Sequence, residues 1–213
     1  MPSDRDSQHA PRSLSSSRLE AFSDGVFSIA ATLLVLDIAL HPPGTPLEQA
    51  LHAWPAYLGY LVSFLTIGAA WLGHSALTDR LTRADSLLLR VNLLMLLVVA
   101  FLPFPTKLVA EGLHGFEGER VYITMYGLTL LAIRLLGFAL DEYARREHLY
   151  ARDGDTEESQ AERRNLLPVI IGYVIAILVG LALPGLAVVF YFGIAIYLIV
   201  PFREVARLLF RRS

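Results

Sequence analysis

Long apolar runs separated by short polar segments dominate the pattern of this 213-residue chain. Six runs are long enough, or nearly so, to cross the roughly 30 Å hydrocarbon core of a bilayer as helices. They lie at 19–40, 55–77, 87–109, 120–141, 165–183 and 185–203. The last two form one apolar stretch that only Pro184-Gly185 interrupts, and two short spans fit a bilayer better than one very long helix. The pattern predicts an all-α integral membrane protein with six transmembrane helices.

Polar composition sets the two ends of the chain apart from this membrane region. Residues 1–17 are rich in Ser, Asp and Arg and predict a disordered tail. Residues 18–203 form the predicted six-helix transmembrane domain, and residues 204–213 a basic tail. The chain has no cysteine, which excludes disulfides and thiolate metal sites.

Basic residues predict the orientation of the helices. Of 18 basic residues, 15 fall in the N-terminal tail, in every second connection and at the C-terminus. The opposite side has only Lys107 and Arg120, and Arg134 lies within the fourth span. Because cytoplasmic segments of membrane proteins are enriched in Lys and Arg, both termini are predicted to be cytoplasmic.

The first span has two different faces at about 100° per residue. One stripe combines Ile29, Leu33 and Leu36 with the hydroxyl of Thr32, whereas Asp24 falls close to the opposite side. An apolar stripe of this kind faces lipid, packs against another helix or lines a path, and periodicity alone leaves these alternatives open. A carboxylate inside a membrane helix usually faces the protein interior, so Asp24 needs a partner.

Four polar side chains from four different spans share one predicted depth near the cytoplasmic side. They are Asp24, His74, Asn92 and Arg134. We hypothesise that Asp24 is held by hydrogen bonds and charge pairing to some of the other three, which joins the helices. Two simpler interpretations stay open: Arg134 extends to the interface, and His74 is a neutral interfacial residue. Trp71 lies on the same face of the second span as His74.

Several of these residues form a pattern that resembles a known family. The pattern comprises Arg18-x-x-x-Phe22-Ser23-Asp24, Trp71-x-x-His74, Asn92 and a Leu-rich run that ends in Leu102-Pro103-Phe104. It is similar to that of the transmembrane protein 175 family, the endolysosomal potassium channels and their bacterial relatives. The resemblance covers residues 18–203, and a single six-span chain resembles the bacterial form.

The resemblance implies a homotetramer with a cation pore on its axis, lined by the first helix. It implies a constriction at Ile29, with Leu33 and Leu36 further along and Thr32 as the one hydroxyl on that face. It also implies that the signature residues lie away from the axis and attach this helix to its neighbours. The structural network would then comprise Arg18, Phe22, Ser23, Asp24, Trp71, His74 and Asn92, together with Arg134, which is inferred from its predicted depth alone. The expected setting is the cell membrane of a bacterium, with lipid and potassium ions as partners and no nucleic acid.

The chain lacks the TVGYG stretch in which potassium channels replace water with backbone carbonyls. A narrow apolar constriction penalises ions that hold their water tightly, so we expect modest preference for potassium over sodium. Asp37, near the outer end of the first helix, is either part of an acidic outer vestibule or an ordinary interfacial aspartate.

A proton-coupled secondary transporter is the main alternative function, because intramembrane Asp, His and Arg side chains suit a proton relay. Transporters usually show inverted repeats and broken helices, whereas the first four spans here are predicted to be unbroken. An enzyme is not expected, since no catalytic pair and no metal-ligand cluster is evident. Neither cofactor nor bound metal is expected; potassium would be the permeant ion.

Overall fold

The computed structural model describes residues 16–38, 44–113, 118–151 and 157–200, and these residues are almost entirely helical. The elements in chain order are α1 (Ser16–Leu33), a 3-10 turn (Leu34–Asp37), α2 (Pro46–His52), α3 (Trp54–Arg80), α4 (Ser86–Phe101), α5 (Pro103–Gly112), α6 (Glu119–Arg146), α7 (Glu157–Ala182) and α8 (Pro184–Ile199). Within this part of the chain, β structure is limited to a single isolated bridge between Leu81 and Tyr150.

The predicted all-α membrane fold is confirmed. Among the described residues, four helical stretches are long and apolar enough to cross a membrane: Ser17–Leu36, Trp54–Arg80, Ser86–Gly112 and Glu119–Arg146. Two shorter apolar helices follow, Leu166–Ala182 and Pro184–Ile199. The chain breaks between them at Leu183, where the backbone leaves the helical region and Pro184 starts α8. Proline suits a first helical position because its missing N–H would have no partner there. Residues 1–15 of the predicted N-terminal tail 1–17 lie outside the described residues, whereas Ser16 and Ser17 already belong to α1. The predicted tail 204–213 also lies outside them.

The third span crosses as one helical stretch, Ser86–Gly112, as predicted, but it contains a local defect in hydrogen bonding. Its hydrogen bonding is interrupted at Leu102, between α4 and α5, because Pro103 and Pro105 have no N–H to donate. The N–H of Leu102 bonds to the carbonyl of Val99, three residues back, at 3.1 Å. Leu102 nevertheless keeps helical backbone angles, so the two pieces continue one another across the membrane. The interruption is a local defect in hydrogen bonding rather than an unwound segment.

The short helix α2 was not predicted, because it follows the first span and is amphipathic rather than apolar. Thr45 caps it, accepting from the N–H of Glu48, while the Glu48 carboxylate accepts from the N–H of Thr45 at 2.7 Å. This reciprocal capping box satisfies two helix-end donors. The hydrogen bond that the Glu48 carboxylate accepts from the N–H of Thr45, followed by the effect of the Thr45 side chain, lowers the pKa of Glu48 below its usual value.

The helices pack so that α3 and α6 are the centre of the bundle. Helix α1 packs on α3 and α4, α5 packs on α3 and α6, and α7 lies between α6 and α8. Gly127 of α6 sits under Tyr191 of α8 and Ile177 of α7, and a methyl group at Gly127 would collide with both. The absence of a side chain at this position is what lets the three helices approach so closely.

Polar contacts tie the connections together at the end of the bundle predicted to be cytoplasmic. Asp85 caps α4 by accepting from the N–H of Leu88 at 2.8 Å, and it also accepts from the hydroxyl of Tyr143 at 2.6 Å. Arg80 and Tyr150 both bond to the carboxylate of Asp141, at 3.2 and 2.6 Å. These contacts attach the ends of α3 and α4 to the end of α6.

Candidate functional site

Helix α1 has one side packed in the bundle and one side free. The side packed in the bundle carries the buried residues Leu19, Ser23, Phe27, Ala30 and Leu34. The free side carries Phe22, Gly25, Ile29, Thr32, Leu33 and Leu36, all exposed in the single chain. Ile29 is 60% exposed and Leu36 is 74% exposed, so no described part of the same chain covers these large apolar side chains. The residues expected to line a path are thus all uncovered, whereas the helix itself is anchored along its other side.

Thr32 is the only hydroxyl among the four predicted pore residues, and its hydrogen bonds have a defined direction. Its hydroxyl donates along the helix to the carbonyl oxygens of Ser28 and Ile29, at 3.0 and 2.9 Å. The hydroxyl hydrogen is therefore held by the helix backbone. The lone pairs of the oxygen stay available, and an oxygen that only accepts suits a cation rather than an anion.

A chain of buried hydrogen bonds joins α1 to α4 and α3. The Ser23 hydroxyl donates to the carbonyl of Leu19 at 2.8 Å. The Asn92 side-chain nitrogen donates to Ser23 Oγ at 3.1 Å, and Asn92 Oδ1 lies 2.8 Å from His74 Nε2. All three side chains are at most 3% exposed. Phe27 packs its ring against His74, with ring centroids 5.4 Å apart.

Asp24 makes a hydrogen bond that differs from the expected ones. Its carboxylate accepts from Trp71 Nε1 at 2.9 Å, so the predicted hydrogen bonds from His74, Asn92 or Arg134 to Asp24 are corrected to one from Trp71. Asp24 lies on the flank of α1, next to the buried side rather than at its centre, and is half-buried. Its neighbour Ser23, and not Asp24 itself, reaches Asn92.

Three further members of the predicted network lie apart from this chain of hydrogen bonds. Arg18 is exposed, and Phe22 is 56% exposed on the same free side of α1 as Ile29. The resemblance implied that Phe22 attaches α1 to its neighbours, but within one chain Phe22 points to the free side instead. Arg134 lines a cavity together with His74 and Tyr173. Arg134 and His74, which were predicted to share one depth, both line this cavity, and neither forms the hydrogen bond to Asp24.

Asp37, the candidate for an outer vestibule, ends the 3-10 turn that follows α1. Its side chain lies outside the described residues. The assignment of Asp37 to a vestibule therefore stays a prediction from the sequence alone.

Sequence reasoning missed a second buried polar cluster, at the level of α5. The Ser63 hydroxyl lies 2.8 Å from both the Thr106 hydroxyl and the Tyr126 hydroxyl. Each residue looked like one small polar position in an apolar span. No spacing rule links Ser63 to residues that follow it 43 and 63 positions later in the chain. For Asp85 a signal did exist, because an aspartate directly before an apolar run is typical of a helix N-cap.

Comparison with known proteins places this geometry in a family. Residues 18–103, which hold the Ser23–Asn92–His74 chain, match the model of the family described as "Endosomal/lysosomal potassium channel TMEM175". A potassium channel of Streptomyces collinus is 41% identical over 171 residues, which cover 78% of this chain and 82% of that protein. This chain belongs to the TMEM175 family. It is accordingly a multi-pass membrane protein of a channel family rather than of an enzyme class.

Other members show the range of the TMEM175 family. A crystal structure of a lysosomal potassium-selective channel TMEM175 homolog from Chamaesiphon minutus matches with a TM-score of 0.72 and 33% identity, over 86% of this chain and 95% of that one. A zebrafish endosomal/lysosomal proton channel TMEM175 is 34% identical over 71% of this chain. The match spans only 32% of the zebrafish protein. The matches to the Streptomyces collinus and Chamaesiphon minutus proteins, in contrast, span 82% and 95% of those chains.

Proposed function

We propose that this TMEM175 chain is a cation channel that passes potassium with modest preference over sodium. Four copies surround a central pore, and the free side of α1 lines it. The observation that carries the proposal is the contrast between the two sides of α1. One side is bound to α3 and α4 through Ser23 and Asp24, and the other leaves Ile29 60% exposed. The relatives named potassium channels support the same permeant ion.

Ile29 is the proposed constriction, with Leu33 and Leu36 continuing the apolar wall. A ring of apolar side chains gates an ion by its width or by excluding water. Potassium gives up its water at lower cost than sodium, which produces a preference without a carbonyl filter. Thr32, with its free oxygen lone pairs, offers the one polar contact in this wall.

The shape of α1 fits this role. A pore-lining helix has to stay in place while ions pass, and α1 is held at several levels along its length. Ser23 and Phe27 hold its inner half, and Leu34, which is 1% exposed, holds the 3-10 turn at its outer end. The anchors lie on the side of the helix away from Ile29, so they leave the proposed wall uncovered.

A flux assay with a matched control tests the proposal. The purified protein is reconstituted in liposomes, and downhill fluxes of potassium, sodium and protons are measured separately. Ile29→Asn should raise the potassium leak or reduce the potassium preference several-fold, because a polar ring stabilises water in the constriction. Leu178→Asn is the control, since Leu178 on α7 is equally exposed at 60% but lies on another helix.

Two results would contradict the channel proposal. If Ile29→Asn and Leu178→Asn change conduction equally, α1 does not line the path. If potassium moves only when a proton gradient is present, the protein is a proton-coupled transporter that uses its Asp, His and Arg side chains instead. Protons that move downhill without potassium would match the activity named for the zebrafish relative.

A further inference from the structure

A cavity of about 50 Å³ lies inside the bundle of a single chain, between α3, α4, α6 and α7. Along α3 its wall runs from Thr66, in the middle of the helix, to Arg80 at the end. Asp141 of α6 lines the same end as Arg80, and their ion pair is partly exposed, with the two side chains 14% and 18% exposed. The cavity therefore starts at the surface predicted to be cytoplasmic and continues toward the middle of the bundle.

His74 lines this cavity and has one nitrogen atom that the protein does not use. Nε2 of His74 bonds to Asn92 Oδ1. Nδ1 is buried and has no hydrogen-bond partner among the described residues. The side chain as a whole is only 3% exposed. A buried polar atom of this kind usually needs a water molecule or another ligand, because an unpaired buried polar atom is destabilising.

The hydrogen-bond chain from α1 decides what Nδ1 of His74 can bind. A carbonyl only accepts, so the Ser23 hydroxyl donates to Leu19 and its oxygen must accept from the Asn92 nitrogen. Asn92 Oδ1 then faces His74, and Nε2 of His74 carries the hydrogen. In a neutral imidazole the other nitrogen is an acceptor. Nδ1 of His74 is thus a bare lone pair that binds a proton or a donor.

The cavity is large enough and polar enough to hold water. A cavity of about 10–15 Å³ is enough for one water molecule, so this cavity of about 50 Å³ holds a few water molecules. Besides His74, the lining provides Arg134, Tyr173 and the Arg80–Asp141 pair as polar partners. The volume is well below the roughly 150 Å³ of a cavity that binds benzene. Water and protons, rather than an organic ligand, match the size.

Charged and titratable groups lie near His74 on four helices, α1, α3, α6 and α7. They are Asp24 and Glu20 on α1, Arg80 on α3, Arg134 and Asp141 on α6, and Tyr173 on α7. Burial away from water disfavours a protonated imidazole, and the two carboxylates of α1 attract one. The two arginines repel it, although Asp141 offsets the charge of Arg80. Histidine is the side chain whose charge ordinarily changes between about pH 5 and 8.

We propose that water enters this cavity at the Arg80–Asp141 end and that Nδ1 of His74 is a proton-binding site. Proton uptake leaves the Nε2–Asn92 hydrogen bond intact, because Nε2 already carries its hydrogen. It places a positive charge on the residue that is linked through Asn92 to Ser23 on α1. The site lies within one chain and away from the free side of α1, so it is separate from the proposed pore.

Nitrogen NMR observes this site directly. The chain has six histidines, and changing the other five to Gln (His9, His41, His52, His114 and His148) leaves His74 as the sole imidazole. With ¹⁵N-histidine in liposomes, we expect the unprotonated Nδ1 signal at pH 8 and a shift to the imidazolium signal by pH 5. A His74 signal that is unchanged over this range, or one that shows hydrogen on Nδ1 and not on Nε2 at pH 8, would overturn the proposal.

A cavity-filling variant tests the route of the proton in the same labelled chain. Gly137 lines the cavity, and a methyl group there would meet only the flexible end of Met95, at 3.7 Å. Gly137→Leu should therefore fold, fill the cavity and abolish the titration of His74 between pH 5 and 8. Gly193→Leu is the control, because Gly193 on α8 has open space around it and lies away from this cavity. If His74 titrates in Gly137→Leu as it does in Gly193→Leu, the proposed route of the proton is wrong. Neither readout depends on ion flux, so the proton site and the proposed channel function fail separately.

Discussion

The role of Asp24 shows how much one side-chain contact decides at the residue scale. A carboxylate in a membrane helix is costly, and its charge alone suggests an ion-binding residue. Its actual partner is Trp71 on the neighbouring helix, and the exposed residues next to it are apolar. Asp24 therefore attaches α1 to α3, and the signature that contains it marks the anchored side of the helix.

The hydrogen bond from Trp71 needs an acceptor at position 24 but no charge. Asp24→Asn keeps a side-chain oxygen and should lose little stability, whereas Asp24→Leu removes the acceptor and should lose about 1 kcal/mol. Chemical denaturation of the purified protein measures both changes. In a Trp71→Phe background the difference between Asn and Leu should vanish, as a double-mutant cycle requires. A difference that persists there would mean that Asp24 acts through another partner.

At the scale of the element, the close approach of α6, α7 and α8 depends on Gly127. Gly127→Ala places a methyl group against Tyr191 and Ile177, and we expect a loss of about 1–3 kcal/mol from overpacking. Gly193→Ala is the matched control, since it adds the same methyl group to α8 where nothing lies within 4 Å. That control should be neutral or more stable, because alanine favours a helix by about 1 kcal/mol over glycine. Thermal unfolding in detergent compares the two, and equal losses would contradict this packing.

The start of α4 should carry a stability contribution that depends on pH. Burial alone would raise the pKa of Asp85, but hydrogen bonds from Tyr143 and from the N–H of Leu88 lower it below its usual value. A carboxyl with a lowered pKa in the folded protein stabilises fully above its unfolded pKa, about 4, and loses this effect as the pH falls through the folded pKa. The stability difference between the parent and Asp85→Asn should therefore shrink below about pH 4. A Tyr143→Phe variant should show a smaller pH dependence, and an unchanged one would argue against this contact.

At the scale of the whole molecule, the distribution of arginines predicts the orientation in the membrane. The chain has no cysteine, so a single introduced thiol reports its own side without background. In intact cells, a membrane-impermeant maleimide should label Leu47→Cys on α2 and leave Glu147→Cys, at the end of α6, unlabelled. Both positions are exposed in the chain, so access to reagent differs only through the membrane. The reverse labelling would invert the predicted topology.

Assembly also belongs to this scale, since the free side of α1 has no cover within one chain. Large exposed apolar side chains occur on other helices too, where lipid is their natural neighbour. What distinguishes α1 is that its uncovered side combines Ile29, Leu33 and Leu36 with the hydroxyl of Thr32. Four such sides around an axis would enclose the proposed pore.

The sequence by itself determined the class of fold, the approximate spans and the existence of two different faces on the first helix. These properties follow from local composition and from the fixed rotation per residue of a helix, so no knowledge of neighbours is needed. Even the shared depth of His74, Asn92 and Asp24 came from counting residues. The break at Leu102 was less visible, since two prolines in an apolar run are compatible with a continuing span.

Only the tertiary structure decided which polar side chains meet. Trp71 and His74 lie on one face of α3 three residues apart, and both were candidates to contact α1. The relative rotation of α1, α3 and α4 assigns Trp71 to Asp24 and, through Asn92, His74 to Ser23. The cavity that joins His74 to Arg134 likewise exists only because four helices leave a gap between them. Contacts across helices depend on rotations of a few tens of degrees, and no local pattern in the chain records them.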